Sequence, residues 1–248
     1  MSDEWIFFPC QMSKRRASIF FDHGVRDSID ITVAPQLLKV RVAFKRPPPD
    51  GMPTSEEFQY LTALEDGLQS LVQQHESTYV GRITFDGHRH FYIYTPDSEE
   101  AWSSRLAALG DSHGYELAFV LKPDESHDGY WQELFPTDDD WQVIQELRVL
   151  ESLAKDGDDG STSRRVDHWA YFPSEAAAHQ FGQWAQEHGY ALDSTNKGED
   201  GRFCVHFAHE GTLQLPDITS HTITLQRMAS ELGGDYDGWE TPVRKAST

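Results

Sequence analysis

Near the end of the 248-residue chain lies the stretch Gly233-Gly234-Asp235-Tyr236-Asp237-Gly238-Trp239-Glu240-Thr241. Its two leading glycines are typical of a helix end, because glycine readily adopts the left-handed conformation that closes helices. On a regular strand Tyr236 and Trp239 would point to opposite faces, being three residues apart. A bulge at Asp237-Gly238 would bring both rings to one face, and glycine suits such a bulge. The stretch therefore predicts a closing strand with a packed aromatic pair, and a partner-binding patch is the alternative.

The eighty residues before this strand alternate cleanly between apolar patterns of strand and helix period. The predicted elements are strand 166–172, a helix that begins at Ser174 and is closed by Gly189, strands 190–194 and 203–207, a helix that begins at Pro216, and strand 236–243. This order is βαββαβ, the ferredoxin-like split arrangement. It predicts an antiparallel sheet with two helices on one face.

Residues 155–163, Lys-Asp-Gly-Asp-Asp-Gly-Ser-Thr-Ser, contain no apolar side chain. Such a composition is typical of a flexible linker. We therefore expect two α+β domains, at residues 1–154 and 164–248.

The first domain shows strand-like and helical patterns that predict an α/β sandwich. The expected strands are 5–8, 18–22, 37–44, 79–85, 90–94, 115–121 and 130–135, and helices follow Thr54, Asp97 and Thr137. Thr54 and Glu57 form a capping-box pattern, in which each side chain bonds the other residue's backbone N–H. The order of strands and helices around His113-Gly114-Tyr115 echoes that around His188-Gly189-Tyr190, so we expect a related βαββα unit in this domain.

The formal net charge of −20, from 41 acidic and 21 basic residues, points to the kind of partner. Such a field repels phosphate backbones, so direct nucleic-acid binding is disfavoured unless the few cations cluster. A basic protein partner is the natural counterpart. The alternative is that the charge only maintains solubility.

Cellular location follows from what the sequence lacks. Cys10 and Cys204 are too few for a disulfide framework or a thiolate metal site. The N-terminal residues show no secretory pattern, and no apolar run is long enough to cross a membrane. We expect a cytoplasmic protein.

Candidate catalytic and metal-binding groups are weak. His88 with His90, and Cys204 with His206, share strand faces, yet neither pair has the spacing typical of a metal site. Cys204 and His206 as nucleophile and base lack an evident orienting acid. No phosphate-binding loop or serine elbow occurs. We therefore expect no enzyme and no cofactor. The alternative is an enzyme, or a small-ligand or metal-binding protein, with its site between the domains.

Specific motifs carry a family resemblance. Asp167-His168-Trp169, His188-Gly189-Tyr190 and above all Tyr236-Asp237-Gly238-Trp239 resemble the regulator of ribonuclease E activity B family over about residues 164–243. This resemblance implies a ferredoxin-like domain that binds ribonuclease E and inhibits its RNA processing. In the first domain, Gly51-Met52-Pro53, Glu56-Glu57, Tyr79-Val80-Gly81-Arg82 and Asp86-Gly87 resemble a bacterial family of unknown function.

The sequence thus predicts a non-enzymatic cytoplasmic regulator that acts by protein–protein interaction. Its partner would be ribonuclease E or another basic RNA-processing enzyme, and its oligomeric state stays open. The candidate partner-binding residues are Tyr236, Asp237, Trp239, Glu240 and His168.

Overall fold

The computed structural model describes residues 2, 4–29 and 33–244. Contacts divide the chain into two compact units, Met1–Thr137 and Asp138–Thr248. Each unit has its own sheet, and all strand pairs within both sheets are antiparallel. The predicted α+β class is confirmed.

The first unit contains a six-stranded sheet in the order β1-β2-β4-β5-β3-β6. Its elements are β1 (Trp5–Met12), β2 (Arg15–Asp22), a 3-10 helix (His23–Val25), β3 (Gln36–Ala43), α1 (Ser55–Gln74), β4 (Thr78–Phe85), β5 (His88–Tyr94), α2 (Glu99–His113), β6 (Leu117–Pro123) and α3 (Asp128–Trp131). Leu64 of α1 and Trp102 of α2 lie in one core with Val40 of β3 and Phe91 of β5. The helices therefore cover one face of this sheet.

The start of α1 shows half of the expected capping box. The Thr54 hydroxyl accepts the Glu57 N–H at 3.2 Å. Glu57 does not bond back to Thr54, because its Oε1 accepts the Lys45 N–H and the Tyr115 hydroxyl, both at 2.9 Å. The carboxylate thus ties the helix start to the segments beside β3 and β6.

The strand predicted at 130–135 is wrong, because this segment begins in the short helix α3 and continues in a turn. Asp124 accepts the N–H groups of Asp128 at 3.0 Å and Gly129 at 2.9 Å, which starts a helical turn there. The Tyr130 hydroxyl then donates to the buried carbonyl of Asp22 at 2.9 Å. The similarity to the strand and helix order of the second unit therefore ends at β6, since within the described residues of the first unit no further strand follows β6.

The second unit contains a four-stranded sheet in the order β10-β7-β9-β8. Its elements are α4 (Asp138–Lys155), β7 (Arg164–Phe172), α5 (Glu175–Glu187), β8 (Ala191–Lys197), β9 (Phe203–Gly211), α6 (Leu215–Glu231) and β10 (Asp235–Glu240). From β7 onward this is the predicted βαββαβ arrangement. Phe181 of α5 and Leu225 of α6 share a core with Phe172 and Phe207 of the sheet, so both helices cover the same face.

Helix α4 belongs to the second unit, although the sequence places the boundary at residues 155–163. It packs against α6. Leu150 and Leu153 of α4 also contact the small core formed by Val166, Leu213 and Ile218. The packing of these partly buried leucines makes α4 part of the second unit.

Within the described part of the chain, no helix combines the length and the apolar character needed to cross a membrane.

Candidate protein-binding face of the C-terminal sheet

The closing strand β10 contains the bulge that its sequence predicts. Tyr236 pairs with Ala170, but Gly238 pairs with Trp169 and Trp239 with His168, so Asp237 is the extra residue. Gly238 has a φ of +113°, a backbone conformation that glycine adopts more readily than any other residue. Because the bulge adds one residue between them, Tyr236 and Trp239 both point to the helix-covered side of the sheet.

Trp239 is half-buried at the edge of the core, where it packs against Val166, Leu213 and Ile218. Its indole N–H donates to the buried Glu146 of α4. Tyr236 and His168 are buried outright. Three of the five predicted binding side chains therefore lie on the covered side of the sheet.

His168 lies at the centre of a buried polar network. Its Nδ1 is 2.7 Å from the Tyr236 hydroxyl, and its Nε2 is 2.8 Å from Nδ1 of His209. The His209 ring stacks on His221 at 3.8 Å, and the Tyr190 hydroxyl is 2.7 Å from Nδ1 of His221. Burial lowers the pKa of His168 to about 2 and that of His209 to about 4, so both rings are neutral near pH 7.

Asp237 and Glu240 are the two predicted residues that face solvent. Glu240 lies opposite Asp167 of β7, and the side chains of β7 alternate between buried and partly exposed along the strand. Because residues directly opposite each other share a face, Glu240 and Asp167 lie on the open side of the sheet. Asp237 is exposed at the bulge itself.

Aromatic rings form the centre of this open face. Trp169 of β7 stacks on His206 of β9 with ring centroids 4.8 Å apart and an interplanar angle of 5°. Next to them, the Arg202 guanidinium lies 4.8 Å from the Tyr171 ring centroid. All three rings are partly exposed. In the sequence, Trp169 is part of a family motif and is not among the candidate site residues.

Charged groups surround the rings. His206 Nε2 lies 3.1 Å from a carboxylate oxygen of Asp167 and 3.6 Å from one of Asp193. Arg165 donates to both carboxylates, at 2.9 Å to Asp167 and in a closer contact with Asp193. We define the acidic sheet face as Asp167, Trp169, Tyr171, Asp193, His206, Asp237 and Glu240.

Asp167, Asp193 and His206 also have the donor atoms of a metal site. Among the described residues, the ligand atoms of these three lie within 4.8 Å of one another. However, the Arg165 guanidinium already bonds both carboxylates. A divalent cation would have to displace this fixed positive charge, which favours an ion-pair network over a metal centre.

The structure does not favour Cys204 and His206 as a nucleophile and its base. Asp167 provides the acid that the sequence did not reveal, and it bonds His206. Cys204, however, lies directly opposite Tyr171 in the sheet, and its interaction with the hydroxyl raises the pKa of that tyrosine. The thiol and the imidazole thus have different partners.

Comparison with known proteins gives two family matches. Residues 144–241 match the family model "Regulator of ribonuclease activity B". Residues 3–135, more than half of the chain, match "Family of unknown function (DUF695)". Among curated proteins there is no significant match.

One solved structure is provisionally described as a glycine cleavage system transcriptional repressor. It is 10% identical over 84% of this chain and 98% of its own, with a TM-score of 0.25. That TM-score is too low to support an argument about fold or function.

Proposed function

Because the chain belongs to the family of unknown function DUF695 and carries a regulator of ribonuclease activity B domain at residues 144–241, we propose that it is a cytoplasmic regulator of ribonuclease E-type RNA processing. It acts by binding the ribonuclease and has no catalytic activity of its own. The observation that supports this function is the acidic sheet face, an open sheet surface with aromatic rings at its centre and carboxylates around them.

The charge of the second unit favours a basic partner. Residues 138–248 contain 20 Asp and Glu against 9 Lys and Arg, a formal net charge of −11. On the acidic sheet face, Arg165 offsets Asp167 and Asp193, while Asp237 and Glu240 extend into solvent. A basic, RNA-binding segment of a ribonuclease complements this surface electrostatically.

Aromatic side chains supply the second requirement of a protein interface. Tryptophan, tyrosine and arginine are enriched among residues that dominate binding energy. Trp169, Tyr171 and Arg202 lie together on the acidic sheet face or at its border. We propose that Trp169 and Tyr171 contact the partner, and that the carboxylates orient a basic segment across them.

This arrangement suggests how cleavage is inhibited. A ribonuclease segment that holds RNA by its basic side chains cannot hold RNA and the acidic sheet face at once. Bound regulator therefore lowers the affinity of the enzyme for its substrate. Inhibition is expected to weaken with added salt, because exposed charge pairs are screened.

The test is cleavage of a labelled RNA by purified ribonuclease E with and without the full chain, together with co-elution on a sizing column. We expect slower cleavage and a stable complex. The double variant Asp237→Lys, Glu240→Lys should weaken binding by about tenfold or more.

The matched control is Glu187→Lys, Glu231→Lys, which makes the same charge change near the C-terminal ends of α5 and α6. Both residues are exposed, and lysine is favourable at a helix C-terminus. The control should bind as the wild type does. Unchanged cleavage without co-elution would refute the function, and equal losses in both double variants would refute the assigned face.

A further inference from the structure

We propose that the open face of the six-stranded sheet in the first unit binds single-stranded RNA. The binding surface, here termed the cationic sheet face, consists of Lys39, Arg41, His88, His90 and Lys122. This inference goes beyond the proposed function and does not depend on it, because the ribonuclease is assigned to the sheet of the other unit.

The strand register brings these side chains together. Arg41 of β3 lies opposite His90 of β5, and Ala43, two residues further along β3, lies opposite His88. Lys122 of β6 lies opposite Leu37, four residues before Arg41 on the same strand. Alternate residues of a strand share a face, as do directly opposed residues, so the five side chains share one face.

Helices α1 and α2 leave this face uncovered, whereas the segment after β6 covers its part around Leu37 and Tyr92, which are buried. The helices pack on Val40 and Phe91. On the other side, Arg41 and Lys122 are exposed, and His88 and His90 are half-buried.

The cations of this face are only partly neutralised. Glu133 accepts from the Lys39 ammonium at 2.5 and 2.6 Å and from the Tyr92 hydroxyl at 2.7 Å. Lys122 interacts electrostatically with Asp124, which Tyr94 and two backbone N–H groups also bond. Arg41 is exposed. Burial lowers the pKa of His90, and electrostatic interactions with His88, Arg41 and Lys39 lower it further.

This local excess of positive charge runs against the composition of the unit, since residues 1–137 contain 21 acidic and 12 basic side chains. Nucleic-acid binding by so acidic a chain requires that its few cations cluster. On this face they do, and phosphate groups are therefore a fitting ligand.

Rings and apolar surface favour RNA over an acidic polypeptide. The His88 and His90 ring centroids are 6.1 Å apart, a separation suited to successive bases of an extended strand. Val120, opposite Lys39 on the same face, is 60% exposed. Rings on the open face of a sheet can stack on unpaired bases, and the bases of a duplex are not available for such stacking. An acidic peptide would interact with the cations but not with the rings.

The test measures fluorescence anisotropy of a labelled single-stranded RNA of about 12 nucleotides with the full chain at low salt. We expect the logarithm of affinity to fall with the logarithm of salt with a slope of about −2, for three phosphate contacts. Arg41→Glu, Lys122→Glu should lower affinity by about tenfold or more. His88→Ala, His90→Ala should lower it by at least about fivefold while the salt slope stays the same.

The matched control is Arg148→Glu, Lys155→Glu, which reverses two exposed cations on α4 and should change affinity less than about twofold. Thermal melting checks that every variant is folded. The proposal is overturned by absence of RNA binding, by equal losses in the control, or by an oligoglutamate of equal length that competes as well as RNA. No ribonuclease is present, so the outcome is separate from that of the proposed function.

Discussion

The indole N–H of Trp239 donates a 2.5 Å hydrogen bond to Oε2 of Glu146. Glu146 lies on α4 and is only 2% exposed, and its other oxygen accepts from Gln142 at 2.6 Å. Burial raises the pKa of this carboxyl. The most distinctive tryptophan of the sequence therefore joins the closing strand to a helix outside the βαββαβ pattern.

Replacement of Trp239 by Phe should destabilise the second unit by about 1–3 kcal/mol, because Glu146 loses a buried donor. The free energy of unfolding in urea measures this. Trp169→Phe is the matched control, since Trp169 lies on the open face. It should leave stability nearly unchanged and weaken ribonuclease binding. If Trp239→Phe instead weakened binding without loss of stability, Trp239 would be a contact residue after all.

The buried ion pair between Asp158 and Arg164 provides a second prediction. Both side chains are fully buried, and Nη2 of Arg164 donates to Asp158 at 2.8 Å in addition to a shorter contact from Nη1. Asp158→Asn should cost about 3–5 kcal/mol, since the arginine would stay buried without its counter-charge. Asp156→Asn, at an exposed site in the same segment, should cost less than about 0.5 kcal/mol. Similar unfolding curves for the two variants would contradict the assigned role.

The neutral histidine network predicts acid sensitivity of the second unit. Because the pKa of His168 is about 2 in the folded state and near 6.5 when unfolded, the unfolded chain binds the proton first as the pH falls. Stability is full above about pH 6.5 and decreases below it, by roughly 2 kcal/mol from His168 at about pH 5.

Hydrogen exchange of β7 and β9 peptides measures this loss locally, without contribution from the first unit. His168→Phe should lower protection near pH 7.5, because Tyr236 and His209 lose a partner, and should flatten the pH dependence. A variant with the same pH slope as the wild type would show that other groups cause the acid sensitivity.

Glu65 provides a test in the first unit. This buried carboxylate accepts from the Tyr79 hydroxyl at 2.7 Å, from Arg82 at 2.6 Å and from Arg89 at 3.2 Å. Burial, and then the charge of Arg82, lowers the pKa of Arg89 to about 10. Glu65→Gln should destabilise by about 3 kcal/mol or more, because two arginines lose their counter-charge. Asp66→Asn, exposed on the same helix, is the control and should leave the urea midpoint unchanged.

Local signals in the sequence predict the second sheet well. Apolar periodicity places its strands and helices, and the Asp237-Gly238 pair predicts the bulge that the register shows. These features depend on backbone preferences of a few neighbouring residues. The open positions of β7 also follow from strand alternation, but the stack of Trp169 on His206 depends on the register between two strands that are distant in sequence.

Features that depend on distant partners escape prediction. The apolar stripe of α4 would suit either sheet, so its periodicity does not reveal which unit it joins. Composition marks Asp158 as part of a solvated linker, whereas its pairing with Arg164 buries it. Asp124 starts the helical turn at Asp128 that replaces the expected strand. Likewise, an overall charge of −20 hides the cations that β3, β5 and β6 bring together.

The bulge at Asp237-Gly238 also has an evolutionary consequence. The three-residue spacing between Tyr236 and Trp239 keeps both rings inside only while one extra residue is accommodated between them. A descendant without the extra residue would keep both rings in the core, because the two aromatics would then be two residues apart and share a face of a regular strand. One that kept the spacing but replaced Gly238 by a β-branched residue would be strained at that position. Across relatives, the three-residue spacing of the two aromatics and the glycine at the position of Gly238 should therefore be kept together or lost together.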